Sequence, residues 1–294
     1  MDQIPFVSIC LLTYKRASVL ARSLDSLLAQ TQCDFELIIN DDCSPDDTES
    51  LCRSYERSDA RVRYCKNERN LRYAGNQNAA LARARSDYVA IVHDGDVYRP
   101  DLIEKWATAL VRHPSAAFAF NALEAMDLSG QTVAVFREDL PELVPGRTLF
   151  DRMIVSDSSP IFGIVMVRKS CVESVGPFDE SLPVLADVDM WLRLLLRYDA
   201  AYIDEPLLKV AARENDHANR EINWKIQAEF ERIYLLNLDR RYSDESIDKA
   251  RTRAVIYRFI QRRRRRALLW CAYRGRVALF AEGFRYIRKH PIQG

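Results

Sequence analysis

The segment His93-Asp94-Gly95-Asp96 sets two carboxylates one residue apart, directly after the β-prone run Tyr88 to Val92. Charges that close repel each other unless a cation sits between them or water screens them. Oxygen ligands from one or two carboxylates, completed by water and phosphate, suit Mg²⁺ or Mn²⁺ holding a diphosphate. A solvated Asp-Gly turn is the alternative reading of the same residues. Asp41 and Asp42 close a second apolar run, Phe35 to Ile39, and Tyr14 follows a third, Phe6 to Leu12. Asp187 opens a segment rich in Leu and Trp, two residues ahead of Asp189. A carboxylate there can cap a helix N-terminus or serve as a base.

The apolar runs alternate with helical spacings. Leu20, Leu24, Leu27 and Leu28 mark a helix over 17–30, Asn40 to Asp47 can cap a second running through Tyr55, and 73–85 is alanine-rich and helical. A short strand at Arg61 to Cys65 lies between the last two. This alternation predicts an α/β fold, a Rossmann-like, mostly parallel sheet with helices on both faces. Ligands bind beyond the carboxyl ends of such strands, so Tyr14, Asp41, Asp42, Asp94 and Asp96 can share one cleft. Further on the pattern predicts a helix over 101–113, strands over 116–125 and 132–136 joined by a Ser-Gly turn, a buried strand over 161–167 and a helix over 187–198. Beyond Val210 the chain reads as almost wholly helical.

Of the 294 residues 48% are hydrophobic and 29% charged, an ordinary globular balance. No apolar run reaches membrane-span length and no signal peptide opens the chain, so a cytoplasmic protein is expected. Seven cysteines without a CxxC pair point to reduced thiols. The net charge of +1 conceals an asymmetry: residues 249–290 hold 14 Lys and Arg against one acid, Glu282. There is no GxGxxG or GxxxxGK[ST] to cradle phosphates and no GxSxG elbow for a serine hydrolase. A bound nucleotide must therefore be held by side chains and a metal.

Taken together, six pieces resemble the family 2 glycosyltransferases of GT-A fold. They are Val7-Ser-Ile-Cys-Leu-Leu-Thr-Tyr-Lys-Arg16, Phe35-Glu-Leu-Ile-Ile-Asn-Asp-Asp-Cys-Ser44, Asn70-Leu-Arg-Tyr-Ala-Gly-Asn-Gln-Asn78, His93-Asp-Gly-Asp96, Gly176-Pro-Phe-Asp-Glu180 and Asp187-Val-Asp-Met-Trp-Leu-Arg193. They keep the family's order over roughly residues 5–215. The resemblance implies that Tyr14 stacks on the donor's base beside the Leu12 backbone and that Asp42, with Asp41 as the alternative, accepts from a base N–H. It implies that Arg72 faces the base or diphosphate, that Asn78 lines the same pocket, that Asp94 and Asp96 hold the metal, and that Asp187 is the catalytic base. Asp189 is the competitor for that role, and His217 lies where relatives often place a His that reaches metal or phosphate. Val97 replaces a third acid, and Ala186 replaces a Glu, that the family often carries.

The implied activity is metal-dependent, inverting transfer of a sugar from a nucleotide-diphosphate sugar, with UDP favoured, to a hydroxyl of a glycan or lipid-linked acceptor. A nucleotidyltransferase and an inactive sugar-nucleotide-binding scaffold are the alternatives. The nucleotidyltransferase should have a glycine after the first strand, where Thr13-Tyr-Lys-Arg16 has none. The expected organisation is a catalytic domain over 1–215, with a nucleotide-binding half (1–100) and an acceptor half (101–215), then a basic helical region over 216–294. In that region arginines interleave with Leu, Trp and Phe, as in helices that lie on an anionic membrane surface. A peripheral site on the inner face of the membrane is one expectation for 249–290. A solvated face packed on the catalytic domain is the plain alternative, and nucleic acid is the lesser competitor.

Overall fold

The computed structural model describes residues 4–155, 159–211, 224–242, 247–273 and 276–290. By contacts the chain forms two compact units, Met1–Leu149 with Pro160–Ala212, and Phe150–Ser159 with Arg213–Gly294.

The first unit begins with β1 (Val7–Thr13), α1 (Ala17–Leu28), β2 (Phe35–Asp41), α2 (Thr48–Ser58), β3 (Val62–Lys66), α3 (Arg72–Arg83) and β4 (Tyr88–His93). Every residue of β1 and β2 is buried, which is why both strands are continuous apolar runs without alternation. In α1 the stripe Leu20, Leu24 and Leu27 is fully buried, and the stripe's spacing is that of a core-facing helix. β1 pairs in parallel with β2 on one side and β4 on the other, and β2 with β3. The chain thus leaves β1 in one direction for β2 and β3 and returns on the opposite side for β4. That reversal opens a crevice at the carboxyl ends of β1 and β4.

There follow β5 (Val97–Tyr98), α4 (Leu102–Arg112), β6 (Ala116–Asn121), β7 (Leu123–Met126), β8 (Thr132–Phe136), β9 (Leu143–Val144), α5 (Gly146–Val155), β10 (Val165–Arg168), α6 (Lys169–Val175), α7 (Ala186–Leu195), β11 (Asp199–Ile203) and β12 (Leu208–Ala211). The main sheet has the order β3-β2-β1-β4-β10-β6-β11-β9, and a smaller one has β5-β12-β7-β8. The main sheet is parallel from β3 to β4, but β10 runs antiparallel between β4 and β6. It is a mixed α/β sheet of the expected class.

Two stretches differ from the reading of the sequence. The run 116–125 is not one strand. It breaks at Ala122, so that β6 joins the main sheet and β7 the smaller one. The run 161–167 pairs only from Val165, after Gly163, whose φ of +77° turns the chain.

In the second unit three helices are described, Trp224–Arg241, Ile247–Tyr273 and Val277–Lys289. Gly283 lies flat against the Trp224 indole, where any side chain would collide. Arg264, the middle of the five consecutive arginines, is buried and fastened to Glu231, its Nε 2.8 Å from Oε1. The Tyr286 hydroxyl donates to the same carboxylate at 2.9 Å, and burial with that neighbouring charge raises its pKa. One arginine of the run is therefore structural, while Arg262, Arg265 and Arg266 are exposed. No helix among the described residues is long and apolar enough to cross a membrane.

Candidate active site

The end of β1 is stitched on both sides. Thr13 O accepts from the Asp42 N–H at 3.0 Å and Leu12 O from the Asp94 N–H at 3.3 Å. The acid-bearing loops after β2 and β4 are thereby fixed to the same strand end. Leu12 is buried and offers only its backbone there, whereas the Tyr14 ring is 40% exposed. Lys15 and Cys43 take positive φ values of 57° and 62°, and the Lys15 N–H bonds the Ser44 hydroxyl at 2.9 Å.

Asp41 and Asp42 face different ways. Asp41 accepts from the Ser44 N–H at 2.9 Å and from the Tyr64 hydroxyl at 2.6 Å. Burial pushes the Tyr64 hydroxyl pKa up, and its bond to Asp41 pushes it further. Asp42 instead organises the chain before α3. Its Oδ1 accepts from the Leu71 N–H at 2.7 Å and the Asn67 amide at 2.9 Å, and its Oδ2 from the Arg72 N–H at 2.9 Å. Arg72 sits at a φ of 63°, a strained value for a side chain of its size, and its N–H is shared between this carboxylate and the Asn70 side-chain oxygen at 3.0 Å. Three of the four acceptor positions of Asp42 are used.

The Asp94-Gly95-Asp96 loop is closed by a residue the sequence pattern did not single out. The buried Tyr98 hydroxyl receives the His93 N–H at 2.9 Å and donates to the His93 carbonyl at 2.7 Å. The Ser23 hydroxyl of α1 holds the Asp96 carbonyl at 2.7 Å. Gly95 adopts a φ of +83°. The two carboxylates then diverge: Asp96 is buried and accepts from the Ala211 N–H of β12 at 2.9 Å, while Asp94 Oδ1 faces Arg16 Nε at 3.3 Å. Asp94 thus already keeps a cation beside it. Among the described residues no third His, Cys, Asp or Glu completes a metal cluster with this pair. The set fits Mg²⁺ or Mn²⁺, which bind through one or two carboxylates and take the rest of their shell from water and phosphate.

Asp187 and Asp189 both lie in the first turn of α7. Asp189 is buried and bonds Arg193 Nε at 2.8 Å, and the same guanidinium holds the carbonyls of Val175, Gly176 and Pro177. Its position is a structural ion pair. Asp187 turns the other way, its Oδ2 3.5 Å from the Tyr73 hydroxyl, which is also 3.5 Å from His93 Nε2. The base candidate is thereby brought to the metal-candidate loop. Asn78 clamps Phe178, its amide donating to the Phe178 carbonyl at 3.0 Å and accepting from its N–H at 2.9 Å. Arg72 exposes its side chain. His217 lies outside the described residues.

The profile of Glycosyl transferase family 2 matches residues 8–168, more than half of the chain. The chain belongs to glycosyl transferase family 2. Among similar proteins, the succinoglycan biosynthesis protein ExoO of Rhizobium meliloti is 30% identical over 196 residues, covering 64% of this chain and 55% of that protein. The fold is shared with TarS of S. aureus in complex with UDP-GlcNAc, at a TM-score of 0.65 and 19% identity over 86% of this chain and 71% of that one. It is also shared with the mannosyltransferase PcManGT of Pyrobaculum calidifontis in complex with GDP-Man and Mn²⁺, at a TM-score of 0.59 and 16% identity over 99% and 82%. The GT-A fold and glycosyltransferase class expected from the motifs hold.

Tyr73 and Gly163 bear on this candidate site, although no sequence signal was strong enough to name them. Tyr73 follows the Arg72 of a matched motif, yet only the turn pinned by Asp42 aims it at α7. Gly163 sits in an apolar run that reads as strand. Arg16 ends the first motif, four residues after Leu12, and its approach to Asp94 follows from the pairing of β1 with β4.

Proposed function

We propose that the protein transfers a sugar from a nucleotide-diphosphate donor, UDP-linked by preference, to a hydroxyl acceptor with inversion at the anomeric carbon. The observation that carries this reading is the convergence of Asp187, Tyr73 and His93 beside the Asp94 loop. In this reading residues 1–100 hold the nucleotide and 101–215 the acceptor. The base rests on the exposed Tyr14 ring, and the remaining acceptor position of Asp42 takes the uracil N3–H. Asp94 and Asp96 would hold Mg²⁺ or Mn²⁺, which would supply Lewis-acid stabilisation of the charge on the departing diphosphate. Asp187 accepts the acceptor's hydroxyl proton as that oxygen bonds the anomeric carbon. The bond from that carbon to the diphosphate breaks, and its electron pair leaves with the nucleoside diphosphate. Attack from the face opposite the leaving group inverts the centre.

The TarS complex with UDP-GlcNAc and the mannosyltransferase complex with GDP-Man and Mn²⁺ support a nucleotide-sugar donor and a divalent ion. The name of ExoO, a succinoglycan biosynthesis protein, supports a role in polysaccharide synthesis; the acceptor in this reading is a glycan or a lipid-linked sugar. The basic stretch 249–290 serves as a membrane-facing element in this reading. Leu269, Tyr273, Val277 and Phe284 are exposed by 60% or more, and Arg265, Arg266, Arg276, Arg285 and Arg288 are exposed with them. Aromatic and aliphatic side chains set among arginines match the charge of anionic lipid.

The direct test is a donor screen by thermal shift, since a ligand of the native state raises apparent stability. UDP-sugars should raise the melting temperature only with Mn²⁺ or Mg²⁺ present. Equal shifts with EDTA, or a larger shift from guanosine diphosphate sugars, would overturn the metal or the base assignment respectively.

A further inference from the structure

Two arginines of α1 and its leading turn cover the acidic loop. If Gly95 carried a Cβ, that atom would stand 2.8 Å from Arg16 Nη2 and 3.4 Å from Arg22 Nη2. Both guanidinium groups therefore approach the Gly95 backbone of this loop. The buried Nε of each lacks a hydrogen-bond acceptor among the described residues. Arg16 is nonetheless ion-paired, its Nε 3.3 Å from Asp94 Oδ1, so the contact is one of charge without an aligned hydrogen bond. Guanidinium groups with spare donors are suited to phosphate oxygens, which accept two parallel N–H bonds.

At this loop Arg16 is paired with Asp94 and the Arg22 guanidinium lies close by. A divalent cation arriving alone would meet Arg16 already at Asp94 and add two positive charges beside two others. A diphosphate arriving with it offers those guanidiniums a better acceptor.

We propose that Arg16, assisted by Arg22, is the internal counter-ion of Asp94 and a diphosphate ligand, so that it couples metal binding to donor binding. The proposal rests on Asp94 as a metal ligand. In the donor-free protein Arg16 neutralises Asp94 and keeps metal affinity low. When the diphosphate binds, Arg16 moves its charge to the phosphate oxygens and releases Asp94 to the metal. Because coupling is reciprocal, the metal tightens nucleotide binding by the same factor. The enzyme thus holds its metal mainly when a donor is present.

The test is Mn²⁺ binding to the full chain, read as free Mn²⁺ by electron paramagnetic resonance, with and without UDP. In the parent protein UDP should tighten Mn²⁺ binding by about tenfold or more. Arg16→Gln should bind Mn²⁺ several-fold more tightly than the parent when UDP is absent, and UDP should then tighten it by a smaller factor, the one its phosphate oxygens supply directly to the metal's shell. Arg16→Lys, which keeps the charge, should preserve most of the coupling and guards against a general effect of substitution on folding. Arg22→Gln should weaken UDP binding and lower the coupling less than Arg16→Gln. If Arg16→Gln keeps the parent's coupling factor, or binds Mn²⁺ more weakly without UDP, the proposal is overturned. Asp94→Asn tests the reading beneath it: Mn²⁺ binding unchanged in that variant removes the metal site itself, whatever Arg16 does.

Discussion

Gly163 is the space into which the Asp187 carboxylate turns. A Cβ at Gly163 would lie 2.9 Å from Asp187 Oδ2 and 3.0 Å from the Tyr73 hydroxyl, and the residue's φ of +77° already disfavours a side chain. The loop before β10 thus fixes where the base candidate can point, although it supplies no reacting group. Gly163→Ala should displace Asp187 and lower kcat by about 10-fold or more with donor affinity little changed. Tyr73→Phe, which removes only the hydroxyl, should lower kcat less. Parent-like turnover in Gly163→Ala would show that the Asp187 carboxylate is not held by this contact.

The two acids of α7 should separate cleanly. Asp187→Asn keeps the shape and can still accept the Val188 N–H, seen at 2.8 Å, but cannot take a proton. Its turnover should fall by about 10²-fold or more, with donor binding retained. Asp189→Asn leaves the buried Arg193 charge without its carboxylate, so it should cost about 2 kcal/mol or more in stability. Steady-state kinetics beside thermal melts of both variants decide the matter. A large loss of kcat in a fully stable Asp189→Asn would move the base two residues along.

Asp42→Asn should weaken UDP binding through the backbone as well as through the base. An amide in place of the carboxylate turns one acceptor into a donor facing N–H groups, so the positive φ at Arg72 loses one of its two anchors, the other being Asn70. Protection of the Leu71 and Arg72 amides from hydrogen exchange should fall together with UDP affinity. Unchanged exchange with weakened UDP binding would restrict Asp42 to base contact.

All seven cysteines are free thiols, and their reactivity should sort by burial. Burial raises the Cys52 thiol pKa to about 12, with the Asp41 charge adding to it, and burial likewise raises that of Cys10. The thiolate is the reactive form, so both groups stay inert at neutral pH and labelling grows only as pH rises toward those values. Mass spectrometry after brief alkylation at pH 7.5 should find the exposed Cys33 labelled first, and Cys10 and Cys52 only after unfolding.

Vesicle sedimentation tests the basic region. The parent protein should bind vesicles containing anionic lipid at low salt and leave them as salt rises, because screening weakens the charge attraction. Val277→Ser with Phe284→Ser should reduce binding at every salt concentration, since both side chains are exposed and their loss should not unfold the helix. No binding by the parent at low salt would leave these residues as a solvated helical face.

The amino-acid sequence alone determined the strands and helices of the first hundred residues, because their signals are local. Uninterrupted apolar runs identify strands buried on both faces, and Leu20, Leu24 and Leu27 identify a helix face. Acids placed directly after such runs must emerge at one end of a parallel sheet, and so Asp42, Asp94 and Asp96 were recognisable as candidates before any coordinates. What each acid faces there was decided only by tertiary contacts, because a carboxylate looks alike in sequence whatever surrounds it. Asp41 is turned to Tyr64 on β3, Asp42 to the backbone of residues 71 and 72, and Asp96 to β12, more than a hundred residues away. Asn78 sits within a family motif yet clamps Phe178, a pairing across a hundred residues that no local pattern encodes. The same holds for α7. Its periodicity marks a helix, but which of Asp187 and Asp189 faces the cleft depends on how the helix is rotated against its neighbours. The buried Arg193 fixes that rotation by drawing Asp189 inward, and Asp187 is left to meet Tyr73.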